Sequence, residues 1–84
     1  MKELKTKIEA IFDCDLNDRS KRGKNNVVFG RIAFTEIARY KMGFTLTKIA
    51  DFLGRDHSTV SHYLIKFNEL YKFNIEFKEN FDKI

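Results

Sequence analysis

The stretch from Gly54 to Val60 separates two helical patterns and constrains the fold more than any other part of the chain. Gly54 can adopt the left-handed backbone conformation that ends a helix and turns the chain. We therefore predict two helices joined by a tight glycine turn, as in a helix-turn-helix. Apolar residues recur at helical spacing on both sides of it: Leu46, Ile49, Ala50 and Leu53 before the glycine, and Val60, Tyr63, Leu64, Phe67 and Tyr71 after it.

The second of these helices begins with polar residues. Asp56 or Ser58 can cap it by accepting hydrogen bonds from its first amide groups. Its N-terminal end then presents Asp56, His57, Ser58 and Thr59. An ordinary αα-hairpin would explain the apolar spacing equally well, but it would not explain this row of polar side chains. In a helix-turn-helix this end contacts base edges in the major groove, so the stretch indicates sequence-specific DNA binding.

The basic residues are concentrated in the middle of the chain. The formal net charge is +4, but residues 19–66 carry ten basic and three acidic side chains, a net +7, which leaves −3 for the two ends. A cationic middle favours an anionic partner, and nucleic acid is the usual one. Four of these residues, Arg19, Lys21, Arg22 and Lys24, form a basic segment, 19–24.

The length of 84 residues predicts a single domain over residues 1–84. The apolar runs are too short to span a membrane, and the mixed charge of the first residues is unlike a secretory signal, so we expect a cytoplasmic protein with no membrane partner. Cys14 has no second cysteine to pair with, and we expect a partly buried thiol in a reducing compartment.

Hydrophobic periodicity predicts that the remaining chain is helical too, which gives an all-α fold class, a small helical bundle. The absence of proline fits this prediction. The predicted helices are 2–13, with Leu4, Ile8, Ile11 and Phe12 inward and Leu16 in the core behind them; 28–42, with Ile32, Ala33, Ile37 and Tyr40 inward; Leu46–Leu53, capped by Thr45; His57 to the 70–73 region; and a short helix within 74–84.

The residues Arg55 to Thr59 resemble the GRDHT/S signature of the C-terminal DNA-binding domain of the bacterial replication initiator DnaA. The resemblance extends over nearly the whole chain, through Ser20-Lys21-Arg22, Arg31-Ile32-Ala33 and Ile49-Ala50-Asp51. It implies a helical bundle with a helix-turn-helix, similar to the Trp repressor and to the DnaA C-terminal domain. It also implies binding of duplex DNA at short asymmetric DnaA boxes.

The resemblance also implies residue roles. Asp56, His57, Ser58 and Thr59 would read bases in the major groove, where carboxylate, imidazole and hydroxyl groups can bond base edges. The basic segment would enter the minor groove through Arg19, Lys21, Arg22 or Lys24. The DNA backbone would be held by Arg31, Arg39, Leu46, Thr47, Arg55 and Lys66.

Three positions depart from the family pattern. Gly23 stands where the family inserts an arginine into the minor groove, although Arg22 and Lys24 flank it. Gly30 stands where the family often has a proline, and we expect this to loosen the start of the helix. The turn has one glycine where many members have two. We expect the base preference to differ from that of the family as a consequence.

No pattern for catalysis is visible. Asp56-His57-Ser58 contains the residue types of a catalytic triad, but neighbours on a helix point about a hundred degrees apart. His57 and His62 have no cysteine or carboxylate cluster near them in sequence, and no glycine-rich phosphate loop is present. We expect no enzyme activity, no cofactor, no metal and no small-molecule substrate.

The biological role stays open between several alternatives. The chain could modulate replication initiation at initiator boxes as a phage or mobile-element protein, regulate transcription, or be an excised domain of a full initiator. A helical adaptor that binds an initiator or another acidic partner is the alternative from a different class. The chain has no long heptad seam, which favours a monomer, one able to cooperate with a full-length initiator.

Overall fold

The computed structural model describes residues 1–18 and 25–84, residue 25 by its backbone alone, and these residues form five helices. No strand occurs among these residues, so the predicted all-α class is confirmed. None of the five helices is long and apolar enough to cross a membrane. The helices are α1 Lys2–Phe12, α2 Asn25–Tyr40, α3 Leu46–Leu53, α4 His57–Phe73 and α5 Ile75–Asp82.

Helix α2 is the centre of the bundle, since it packs against α1, α3 and α4. Every residue from 30 to 35 is buried, whereas a helix at the surface buries only one stripe. The helix begins at Asn25 and ends at Tyr40, earlier at both ends than the predicted 28–42. Tyr40 is 68% exposed. The prediction that Tyr40 points inward was therefore wrong, because the helix ends there and no other element covers this last residue.

An aromatic cluster joins α5 to the rest of the bundle. The Phe77 side chain is fully buried, and its ring centroid lies 5.7 Å from that of Phe29 and 5.8 Å from those of Phe12 and Phe67. On the other side of α2, the fully buried Phe34 ring stacks on Phe52 of α3 at 5.3 Å. These rings fill the core, so they are not available as a platform for stacking bases.

The segment 13–18, which we call the α1 loop, packs against α2. Leu16 is fully buried, as predicted. A Cβ atom on Gly30 would lie 2.8 Å from Leu16 Cδ2 and 3.1 Å from Cys14 Sγ, so Gly30 is the residue that allows this close approach. Gly30 lies inside α2 and not at its start. The expectation of a loosened helix start was therefore wrong.

A three-residue connection, Gly54 to Asp56, joins α3 to α4, as the glycine turn predicted. Gly54 has φ 67° and its amide donates to the carbonyls of Ala50 and Asp51. The fully buried Val60 packs in the core behind this turn. Asp56 stands at the N-cap position, but its side chain makes no capping hydrogen bond, and Ser58 lies inside the helix. The prediction that one of these two side chains caps α4 was therefore wrong.

Candidate nucleic-acid interface

The N-terminal end of α4 carries all four predicted base-reading residues. Asp56, His57 and Ser58 are exposed and Thr59 is half-buried. The amide of Val60 makes the first hydrogen bond of the helix, to the Asp56 carbonyl at 3.1 Å, so the amides before it have no acceptor within the helix. Because the Asp56 carboxylate is not occupied by capping, it is available to a partner. The structure brings these four residues together at one exposed, uncapped helix end.

Arg55 lies in the turn directly before this helix end. Its side chain is half-buried, and its Nε atom is buried with no hydrogen-bond partner. A buried donor without an acceptor costs about 1–3 kcal/mol, and native proteins usually satisfy such groups. The buried Nε is closed to an external ligand as the side chain stands, so a contact between Arg55 and an anionic group would use the other guanidinium nitrogens.

The start of α3 offers a second set of amide donors. Thr45 caps this helix, as predicted: its hydroxyl accepts from the Lys48 amide at 3.2 Å. The first bond within the helix joins the Ile49 amide to the Thr45 carbonyl at 3.1 Å. The amides of Leu46 and Thr47 come before both bonds, so they have no acceptor within the helix. Such amides at a helix N-terminus favour an anion.

Arg39 lies beside this helix start. Its side chain is exposed, and Nη1 donates to the Phe44 carbonyl at 3.3 Å, one residue before the cap of α3. The structure thus brings Arg39 and the start of α3 together. Lys48 is also exposed in the first turn of α3 and was not among the predicted contacts. Lys48 directly follows Thr47, which was predicted to contact the DNA backbone, and this position is the sequence signal that could have identified it.

Lys66 is on the same helix as the base-reading end but at a distance from it. Nine residues separate it from His57, which corresponds to about 14 Å along the helix axis. Its Nζ lies 3.5 Å from Glu69 Oε2, and the two side chains are 44% and 62% exposed. A surface pair of this kind is weak, so Lys66 can exchange this partner for a phosphate.

Arg31 does not lie on this surface. It is only 5% exposed, and its Nε and Nη2 donate to the carbonyls of Leu16 at 2.8 Å and Asp18 at 2.6 Å. The contact with the DNA backbone that the resemblance implies for Arg31 needs an exposed side chain. The structure places the guanidinium against the α1 loop, and a contact between Arg31 and the DNA backbone stays a prediction. Sequence reasoning missed this structural role, and spacing gives no signal for it.

The basic segment, with Arg19, Lys21, Arg22 and Lys24, lies outside the described residues. In the part of the chain that the structure describes, no three His, Cys, Asp or Glu side chains gather into a group that could hold a metal ion. Burial, followed by the nearby Glu9 carboxylate, raises the pKa of the Cys14 thiol to about 11. Cys14 is therefore protonated at neutral pH and is a poor nucleophile or metal ligand.

Comparison with known proteins connects part of this chain to a replication protein. A 51-residue stretch, 61% of the chain, is 45% identical to the chromosomal replication initiator protein DnaA of Pseudothermotoga lettingae. The match covers 12% of that protein's length. No protein-family model and no solved structure matches the chain. The 51-residue stretch is therefore a DnaA-related region.

Proposed function

We propose that this chain binds duplex DNA sequence-specifically, in the manner of the DnaA C-terminal helix-turn-helix domain, at DnaA-box-like sites. The observation that carries the proposal is the exposed end of α4, where Asp56, His57, Ser58 and Thr59 stand together with no capping side chain. The DnaA-related region supports the choice of DNA as the partner.

The end of α4 reads bases in the major groove. The Asp56 carboxylate accepts a hydrogen bond from the exocyclic amino group of cytosine or adenine. His57 and Ser58 bond base edges, and the Thr59 methyl group contacts a thymine methyl. Because Asp56 makes no capping bond, base reading does not require it to abandon a bond within the protein.

The start of α3 and the cations around it hold the DNA backbone. Amides of Leu46 and Thr47 bind a phosphate, with Arg39 beside them. Arg55 binds at the turn and Lys66 further along α4. The basic segment adds charge, and through Arg22 or Lys24 it enters the minor groove, where A·T-rich DNA concentrates negative potential. An interface of this composition loses affinity as salt rises.

In the cell, the proposed role is to occupy initiator boxes and so to modulate replication initiation or transcription. The chain acts through binding alone, as a monomer with no enzymatic step and no cofactor. The DnaA-related region favours replication over unrelated processes. Cooperation with a full-length initiator at neighbouring boxes fits the same role.

Fluorescence anisotropy tests the proposal. A labelled duplex carrying a DnaA box is compared with a scrambled duplex of equal composition across a salt series. We expect the box to be preferred by about 10- to 100-fold, or about 1.4–2.8 kcal/mol. Asp56→Ala removes the preference, and Arg39→Ala weakens both duplexes alike. Glu79→Ala, an exposed carboxylate on α5, is the matched control and leaves the preference intact.

Two results would contradict the proposal in different ways. Equal binding of both duplexes with a steep salt slope would show DNA binding without the proposed base reading. No binding of either duplex at low salt would remove DNA as the partner and leave the protein-interaction adaptor as the alternative.

A further inference from the structure

A large apolar side chain is exposed in the third turn of α4, the helix that carries the base-reading residues. Ile65 is 68% exposed, whereas Val60 and Tyr63 of the same helix are buried in the core. A single exposed apolar residue is common on protein surfaces and needs no explanation by itself. The position of Ile65 relative to the base-reading end is what indicates a role.

Ile65 lies on the same line of α4 as Ser58. Seven residues separate the two, which corresponds to two helical turns, an offset of about 20° and about 10 Å along the axis. Ser61 and His62 lie between them at helical spacing, and Ser61 is half-buried and His62 exposed. An open face of α4, formed by these four residues, therefore runs from the base-reading end to Ile65.

Lys66 provides a reason for α4 to stay close to DNA at this point. Its only pair among the described residues is the weak surface contact with Glu69 at 3.5 Å, and in the proposed complex it binds a phosphate. Lys66 directly follows Ile65, so the two side chains point about 100° apart around the helix. Phosphates flank the major groove and base edges line its floor. When Lys66 reaches a flanking phosphate, Ile65 faces the floor, as Ser58 does.

The chemistry of the groove floor limits what Ile65 can contact. An isoleucine side chain has no hydrogen-bond donor or acceptor, so it cannot satisfy the polar groups of a base edge, and covering them is unfavourable. The apolar group that the major groove presents is the C5 methyl group of thymine. Contact between this methyl group and Ile65 removes apolar surface of both partners from water.

We propose that Ile65 is a specificity-determining residue that contacts a thymine methyl group beyond the bases read by the end of α4. The distance of about 10 Å along the helix and the rise of about 3.4 Å per base pair place this thymine no more than about three base pairs further on. The inference rests on the proposed function. It adds a base contact to those of the four residues at the helix end.

Replacing thymine by uracil tests this contact, because the exchange removes the C5 methyl group and leaves the base pair intact. Labelled DnaA-box duplexes are prepared in which each thymine of either strand is replaced in turn. Anisotropy at low salt gives their affinities for the native chain and for Ile65→Ala. Because Ile65 is exposed, we expect Ile65→Ala to fold as the native chain does, and circular dichroism checks this.

We expect one of the uracil substitutions to affect the two proteins differently. It weakens binding of the native chain by about 3- to 5-fold, the effect of one buried methyl group. The same substitution weakens binding of Ile65→Ala by less than about 1.5-fold, because the apolar partner of the methyl group is already absent. The two losses are therefore coupled, as expected for groups in contact.

Two variants of α4 serve as controls. Phe73→Ala removes another exposed apolar side chain, 74% exposed and about 12 Å beyond Ile65 along the helix, and we expect every uracil substitution to keep its effect in this variant. Thr59→Ser removes the methyl group at the base-reading end. We expect it to abolish the effect of a different thymine, which marks the end of α4 on the duplex.

The results that would overturn the inference differ from those that would overturn the proposed function. If the native chain prefers the box but every uracil substitution costs Ile65→Ala the same factor as the native chain, the inference alone falls. A thymine coupled to Ile65 but more than about three base pairs from the one coupled to Thr59 would also overturn it. If the native chain binds no duplex, or binds box and scrambled duplexes equally, the proposed function falls and the inference falls with it.

Discussion

Arg31 and Arg39 lie on the same helix, eight residues or about 12 Å apart, in opposite surroundings. The first half of α2 is covered by α1 and the α1 loop, and there Arg31 is 5% exposed and bonded to two backbone carbonyls. The C-terminal end of α2 is open, and there Arg39 is exposed with a 3.3 Å bond to the Phe44 carbonyl. The same residue type thus has two roles in α2. Arg31 holds two parts of the fold together, whereas Arg39 is available to a ligand.

The difference arises from what packs around each end of α2. The helix packs against α1, α3 and α4 along its length, yet its last residue, Tyr40, has 68% of its surface exposed. A cation at the covered end must form hydrogen bonds within the protein, because burying a charged group without such partners is costly. A cation at the open end keeps its hydration and can exchange it for a phosphate.

The largest expected difference in the free energy of unfolding is between two variants in which either Arg31 or Arg39 is replaced by methionine. Arg31→Met leaves two loop carbonyls without their charged donor, and we expect it to lower the free energy of unfolding by about 2–4 kcal/mol. For a domain of this size that lowers Tm by about 10–20 °C. Arg39→Met, with the same change of side chain, alters the free energy of unfolding by less than about 0.5 kcal/mol. Urea denaturation of the two variants measures both free energies of unfolding. Equal losses would contradict the claim that Arg31 stabilises the fold and Arg39 does not.

A smaller effect is expected from placing alanine at the two ends of α2. Gly30→Ala and Tyr40→Ala both raise helix propensity. Even so, we expect Gly30→Ala to lower the free energy of unfolding by about 1–2 kcal/mol, because its methyl group meets the buried Leu16 side chain. Tyr40→Ala changes it by less than about 0.5 kcal/mol, since the ring is exposed. Thermal denaturation measures the stability of both variants. A stabilised Gly30→Ala variant would show that the α1 loop moves aside for the added methyl group at little cost.

The third prediction concerns Cys14 in the α1 loop and involves no change of stability at neutral pH. Burial, followed by Glu9, raises the pKa of this thiol to about 11. We expect iodoacetamide at pH 8 to modify the native chain about 100-fold more slowly than the chain unfolded in urea, since only the thiolate reacts. Mass spectrometry of timed samples gives both rates, and similar rates would show that the loop opens readily.

The raised pKa of Cys14 also fixes the sign of a pH effect. The unfolded thiol ionises at a lower pH than the native one, so the native state retains its proton longer. Its contribution to stability is complete below the ordinary pKa of a thiol and is lost as the pH rises towards about 11. Cys14→Ser removes this alkaline dependence, which denaturation between pH 8 and pH 11 would detect.

Three predictions that depend on short-range patterns agreed with the structure. The bounds of α3, the Thr45 cap and the left-handed Gly54 follow from residues within one turn of each other. The capping of α4 did not follow, because a residue type that can cap says nothing about where its carboxylate points. Asp56, His57 and Ser58 are exposed at the N-terminal end of α4, as a base-reading role requires. Their contacts with DNA stay a prediction.

The sequence by itself determined the helices, the glycine turn and the polar start of α4, because helical periodicity and backbone preference act over a few neighbouring residues. Only the tertiary structure decided that Gly30 makes room for Leu16 and that Arg31 bonds the α1 loop. These contacts join residues thirteen to fifteen positions apart in the chain. Whether an arginine is buried or open to DNA depends on which elements pack over it, and no local pattern in the sequence encodes that packing.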